Sequence, residues 1–292
     1  MTDSVQSIAV LGAGTMGRGI AQVAAAGGYQ TCLFDVESQA LHDARERIRG
    51  NLEQGVGLGK VSREVADLAQ RNLRLSDDLE SAVSRTELVI EAVPESMELK
   101  TRLFAQISEF APPGAYFATN TSGLSITEMA TASGRPQNFA GMHFFNPVHL
   151  MKLVELVRGL ETSDQTTAVM RSVAEKMGKQ VVTINESPGF VTSRINALIG
   201  NEAFRMLEQG IASARDIDTA LKLGLNHPMG PFEMVDLVGL DVRLSILQHL
   251  QETLGDLYRP SSRLIQYVKA GRLGRKTGRG VYAYDGDGNI VD

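Results

Sequence analysis

The chain has 292 residues, 43% hydrophobic and 22% charged, enough for one large domain or two medium ones with a real core. Its net charge of −5 gives no electrostatic reason to expect nucleic acid or an anionic membrane as partner. The lone cysteine, Cys32, excludes an internal disulfide and fits a reducing, cytoplasmic setting. No apolar run reaches the roughly 18 residues of a spanning helix, and the opening MTDSVQSIAVLG enters a strand without room for a signal peptide.

Short β-rich runs alternate with longer helical patterns through the first half, which predicts a mostly parallel sheet with crossover helices. Strands are expected at 8–11, 31–34, 73–75, 88–92, 116–119, 139–142, 153–156 and 181–184, with helices in the gaps. The second of these holds Cys32 among Thr31, Leu33 and Phe34, the setting of an inert buried thiol. Ser125-Ile-Thr-Glu128 reads as a capping box. The character changes at Glu186-Ser-Pro-Gly189, after which the pattern is helical to about residue 267. Pro188 is expected in a first helical turn and Gly210 as a C-terminal stop. The boundary therefore falls near 185, between an α/β domain (1–185) and a smaller all-α domain (186–292).

Between the first strand and the first helix, SIAVLGAGTMGRGIA places Gly12, Gly14 and Gly17 as G-x-G-x-x-G, with Ala13, Thr15 and Met16 between them. Glycine allows the tight turn, the approach of backbone to a pyrophosphate, and close helix–strand packing. The helix that follows offers its N-terminal N–H groups to the phosphates. The second strand, TCLFD, ends in Asp35, near the spacing at which an acid meets an adenosine ribose. Asp35 would repel a 2′-phosphate and no arginine adjoins it, so NAD is expected rather than NADP. The fourth strand runs into EAVPESMELK, where Pro94 turns the chain at a carboxyl edge and Glu95 can reach cofactor hydroxyls. Glu98 and Lys100 read equally well as a solvated helix face. After the fifth strand come Asn120, Thr121 and Ser122, able to bind a substrate oxygen or simply to cap a turn.

The stretch MHFFNPVHLMKLVEL holds two histidines and a glutamate in apolar surroundings. Oxidation of a carbinol by hydride transfer needs a base for the hydroxyl proton, and histidine suits it. His143 stands at the end of a strand, and Glu155, twelve residues on, can return beside it after Asn146-Pro147 turns the chain. A carboxylate there would orient the ring and stabilise the imidazolium. A metal site of His143, His149 and Glu155 matches no common zinc spacing, so no metal is expected.

GAGTMGRGIA, EAVPE, NTSGLSITE, HFFNPVHLMKLVE, SPGFVTSRI, GLNHPMGPFEMVDLVGLD and GRLGRKTGRGVYAY together resemble the L-3-hydroxyacyl-CoA dehydrogenase family, its short bacterial 3-hydroxybutyryl-CoA members above all. The resemblance runs in order from the first strand almost to the C-terminus. It implies a Rossmann-type, doubly wound NAD-binding domain followed by a helical domain that forms a homodimer and helps close the cleft. It also implies reversible oxidation of an L-3-hydroxyacyl-CoA to the 3-ketoacyl-CoA. Carried over by position, His143 is the general base, Glu155 its orienting carboxylate, and Ser122 the ligand of the substrate C3 oxygen. Asn146 lies near the nicotinamide and substrate. Glu95, Lys100, Asn120 and Lys276 fall at cofactor positions, and His149 is a bystander. Ser193 stands where the family usually has an asparagine, so a water or Asn196 is expected to compensate. The CoA portion is expected at the helical hairpin 37–70, with Lys60 either a phosphate contact or an ordinary exposed lysine. Residues 257–284 hold seven Lys or Arg and no acid, which would attract phosphates or pack on a dimer partner. Rival readings are a dehydrogenase of a free hydroxy acid or sugar acid, and a non-catalytic NAD binder on the same scaffold.

Overall fold

The computed structural model describes residues 5–291, so the first residues of the expected leaderless start lie outside the described part. Two compact units meet between Glu186 and Ser187, one residue beyond the expected boundary.

In the first unit, β1 (Ser7–Leu11), α1 (Thr15–Ala26) and β2 (Gln30–Phe34) are followed by the hairpin α2 (Ser38–Gly57) and α3 (Arg63–Asn72). Then come β3 (Leu73–Ser76), α4 (Leu79–Val83), β4 (Leu88–Glu91), α5 (Met97–Phe110), β5 (Tyr116–Thr119) and α6 (Ile126–Ala132). The unit ends with β6 (Phe139–Phe144), β7 (Leu153–Arg158), α7 (Asp164–Lys176) and β8 (Gln180–Asn185). One eight-stranded sheet results, in the order β3-β2-β1-β4-β5-β6-β7-β8. All neighbours are parallel except β6 and β7. The order reverses beside β1, and a crevice outside the carboxyl ends of β1 and β4 is where such sheets hold ligands.

The central strands are apolar on both faces, as helices on both sides require: Ile8, Val10, Leu33, Val89, Ile90 and Phe117 are all buried. α2 turns Leu41, Ala44, Ile48 and Leu52 inward at helical spacing and leaves its charged residues outside. Ser62 caps α3 and Ser96 caps α5. Phe139 meets Phe104 edge-on at 4.6 Å behind the sheet.

The second unit contains α8 (Thr192–Glu208), α9 (Ala214–Gly224), α10 (Pro231–Val238), α11 (Leu240–Leu254) and α12 (Ser262–Lys269). Phe204 packs edge-on against Phe232 and Tyr267 at its core. Pro188 lies in the turn ahead of α8 and not in its first turn, because Gly189 and Phe190 take left-handed conformations there (φ +72 and +50) and delay the helix. Gly210 follows the end of α8, as its stop signal suggests. The C-terminal segment is stitched down by buried Asp236, which accepts the N–H groups of Val281 and Tyr282 and the Tyr284 hydroxyl. Asp218 accepts the N–H groups of Phe232 and Glu233 and the Tyr282 hydroxyl. No described helix is long and apolar enough to cross a membrane.

Candidate active site

The glycine-rich turn sits at the carboxyl end of β1. Gly12 adopts φ +101 and donates to the Phe34 carbonyl at 2.8 Å, which ties the turn to β2. A Cβ on Gly17 would lie 1.7 Å from the Gly12 carbonyl oxygen, so only glycine lets α1 pack this close. A Cβ on Gly14 would meet no protein atom within 4 Å. Gly14 is also the N-cap of α1 and offers no side-chain cap, which leaves the helix start open to an anion. Asp35 folds back on the turn: one oxygen accepts the Ala13 N–H at 2.7 Å, the other the Glu37 N–H at 3.1 Å. An uncapped helix start, an open face at Gly14 and an acid beside the turn fit the pyrophosphate and ribose of NAD.

The histidine–carboxylate pair is set by sheet register. β6 and β7 are antiparallel, and His143 stands directly opposite Glu155, where side chains on one face are in contact range. The His143 Nδ1 is 2.7 Å from Glu155 Oε2. Glu155 is 0% exposed and His143 7%. A carboxylate this deep is strongly destabilising unless it is paired. With Glu155 ionised, Nδ1 carries the proton and donates. The Phe145 ring lies 4.5 Å from the imidazole.

A cavity of about 400 Å³ opens here, lined among others by Met16, Glu95, Asn120, Ser122, His143 and Asn146. Six residues expected from the sequence thus converge on one space at the switch point. Thr121, between two of them, is a turn residue: its hydroxyl accepts the N–H groups of Gly123 and Leu124 and donates to Glu95 at 2.5 Å. Ser122 donates to the same Glu95 oxygen through its N–H at 3.0 Å and its hydroxyl at 3.3 Å. Asn120 accepts the Phe144 N–H at 2.9 Å and so straps β6 to the loop after β5. The far end of that loop is held by Glu186, whose carboxylate accepts the Ser125 hydroxyl, the Thr127 N–H and the Thr127 hydroxyl at the start of α6. Ser125 accepts the Glu128 N–H, but no return bond from the Glu128 carboxylate is present among the described residues, so only half of the expected capping box forms.

Lys100 corrects the solvated-face alternative. It is 1% exposed, and its ammonium sits 2.6 Å from Glu91 and 3.3 Å from Glu95. Glu91 itself was passed over at the sequence level, although an acid inside the apolar run LVIEA is a signal in its own right. Lys179 was also missed. It is buried, and its ammonium donates to the carbonyls of Val148 and of Met151, which pins the loop carrying Asn146. His149 lines a second cavity of about 470 Å³ with Thr15, Arg18, Asp43, Arg47 and Asn51. Burial, and then the Lys179 ammonium, hold the His149 pKa below its usual value. Lys60 is exposed in the turn between α2 and α3. Burial pushes up the Cys32 thiol pKa, in keeping with an unreactive strand residue.

In the second unit, Ser193 occupies the first turn of α8. Lys276 pairs with Asp241 at 2.6 Å. Arg272 lies over the Tyr267 ring at 4.1 Å and donates to the carbonyls of Gly280 and Val281. Part of the basic run 257–284 therefore serves its own unit, not a ligand.

A phosphate-ready glycine turn, an acid after the second strand and a buried histidine–carboxylate pair at the switch point define a nicotinamide-dinucleotide dehydrogenase. Comparison with known proteins gives the particular kind. Residues 7–187 match the 3-hydroxyacyl-CoA dehydrogenase NAD-binding domain, and residues 189–284 match the C-terminal domain of the same family. The chain is 44% identical to a probable 3-hydroxybutyryl-CoA dehydrogenase of Bacillus subtilis, over 96% of this chain and 98% of that one. It is 42% identical to the 3-hydroxybutyryl-CoA dehydrogenase of Bradyrhizobium diazoefficiens, over 98% of each. Among solved structures, the (S)-3-hydroxybutyryl-CoA dehydrogenase PaaH1 from Ralstonia eutropha superposes with a TM-score of 0.93 at 40% identity, covering 97% of this chain and 100% of that one. The chain belongs to the 3-hydroxyacyl-CoA dehydrogenase family, and it is an NAD-dependent oxidoreductase.

Proposed function

We propose that the protein oxidises short-chain L-3-hydroxyacyl-CoA, with 3-hydroxybutyryl-CoA as the leading substrate, and runs in reverse on acetoacetyl-CoA. The observation that carries this reading is the His143–Glu155 pair at the rim of a cavity that also holds Ser122. Because Nδ1 is committed to Glu155, proton exchange with the substrate hydroxyl falls to His143 Nε2. Glu155 keeps the ring oriented and offsets the charge of the imidazolium once the proton arrives. Ser122 holds the C3 oxygen, and Asn146 and Met16 border the same space. The turn Gly12, Ala13, Gly14, Thr15, Met16, Gly17 would hold the NAD phosphates, and Asp35 and Glu95 its riboses, with Lys100 buried behind Glu95 and acting on the cofactor through it. Bound NAD supplies the acceptor of the C3 hydride.

The second cavity, with Arg18, Arg47, Asn51 and His149 on its walls and Asp43 as its acid, suits the phosphates of CoA better than Lys60 alone. Ser193 and Lys276 remain candidates from the helical unit, for the substrate side and the cofactor respectively. That unit also supports a homodimer. It exposes Ile195, Leu237 and Val242, apolar side chains that a second copy would cover. The expected address is the cytoplasm.

The deciding experiment is a panel of acyl-CoAs of increasing length beside free 3-hydroxybutyrate, each with NAD and NADP. Turnover is expected with 3-hydroxybutyryl-CoA and NAD. Equal rates with free 3-hydroxybutyrate would refute the CoA reading, and equal rates with NADP would refute the role of Asp35.

A further inference from the structure

The chemistry above makes no use of Glu91, and its surroundings point to a role. The residue closes β4 and is 0% exposed. One oxygen accepts the Val93 N–H and the Lys100 ammonium, each at 2.6 Å, and the other accepts the Thr119 hydroxyl at 2.6 Å. Lys100 continues outward to Glu95 at 3.3 Å and lies 3.4 Å from the Val93 carbonyl. Its ammonium therefore has two hydrogen-bond acceptors and, in Glu95, a second ion-pair partner. The other oxygen of Glu95 holds Ser122 and Thr121. Hydrogen bonds joined by one ion pair thus run from the sheet interior to the cavity rim.

One ammonium between two carboxylates leaves one net negative charge, and it resides on Glu95, the partly exposed member. If Glu91 loses its charge, the buried ammonium has Glu95 alone to neutralise it, and attraction in a low-dielectric site draws Glu95 inward. Glu95 then withdraws from Ser122 and from the space a ribose would occupy. Stability alone is a weak reason for such a pair, since replacing a buried ion pair with well-packed apolar groups is often neutral or stabilising. Burial pushes the Glu91 carboxyl pKa up, against the ammonium and hydrogen bonds that favour its ionised form.

We propose that Glu91 is a positioning residue that engages Lys100, so that Glu95 stays at the rim and holds Ser122 in place. The inference rests on the roles proposed above for Glu95 and Ser122. Its test is Glu91→Gln, which keeps the shape and removes the charge. Three quantities are read: the thermal melt, NADH affinity by calorimetry without acyl-CoA, and steady-state kinetics with acetoacetyl-CoA and NADH. A folded variant with NADH affinity weakened about fivefold and kcat lowered about tenfold is expected, since small misplacements of binding groups have effects of this order or larger. Thr119→Val removes only the bond to the second Glu91 oxygen and carries the test if Glu91→Gln does not fold. It should shift both quantities the same way by about threefold. Wild-type NADH affinity and kcat in either folded variant would overturn the proposal, whatever happens to the melting temperature. A wild type that binds NADH but leaves acetoacetyl-CoA unreduced would defeat the substrate reading, while the affinity measurement would still judge Glu91.

Discussion

As the proposed base, His143 would owe its usefulness to the carboxylate 2.7 Å behind it. Without Glu155 the ring could adopt either tautomer, and the imidazolium formed on proton uptake would stand unsupported in a buried site. His143→Ala is therefore expected to lower kcat by roughly 10²–10⁴. Glu155→Gln should lower it by at least about 10² through loss of the countercharge. In both variants NADH affinity should stay near wild type, since neither residue holds the dinucleotide. Steady-state kinetics with a parallel binding titration checks this, and undiminished turnover in His143→Ala would move the base elsewhere. Both residues were legible in the sequence as ionisable groups in an apolar run. Their meeting was expected too, from the turn between them, while the antiparallel register that sets them directly opposite came from the fold. Lys100 shows the opposite limit: a helical lysine among charged neighbours reads as solvated, and only the fold reveals that it is buried against Glu91.

At the scale of elements, the β1–α1 turn separates two uses of glycine. Gly17→Ala would force a Cβ into the Gly12 carbonyl, so it should destabilise the fold and abolish NADH binding together. Gly14→Ala meets no protein atom, so its melting temperature should hold while the KM for NADH rises about tenfold. Melts and kinetics of the two variants side by side would show it, and equal loss of stability would refute the distinction. The motif was legible because turn chemistry is local. The end of the second unit carries a pH signature. Burial, followed by the bonded Asp218 carboxylate, raises the Tyr282 phenol pKa, and burial with Asp236 does the same for Tyr284. The folded state then keeps protons that the unfolded chain releases near 10.0. Their contribution is present below that pH and is lost as the pH rises through the raised values. Tyr282→Phe should be less stable than wild type by about 1–3 kcal/mol near neutrality, and the gap should narrow above about pH 10. Denaturant melts across that range measure it, and a gap independent of pH would contradict the assignment.

For the whole molecule, light scattering at micromolar concentration should give twice the chain mass. Leu237→Glu, which places a charge on the exposed apolar side of that unit, should shift that mass toward one chain. An unchanged dimer would remove Leu237 from the interface. The eight strands, the change of character near residue 185, the NAD fingerprint and a histidine and a glutamate set in an apolar run were legible in the sequence itself. These depend on side-chain period, turn residues and short motifs, all of which act over a few neighbours. Tertiary structure alone decided the register that sets Glu155 directly opposite His143, that Glu91 and Lys100 lie buried behind the cofactor edge, and that Glu186 and Lys179 hold the loops of the site. Burial and register arise when segments far apart in the chain pack together, and that information is not carried by any single stretch.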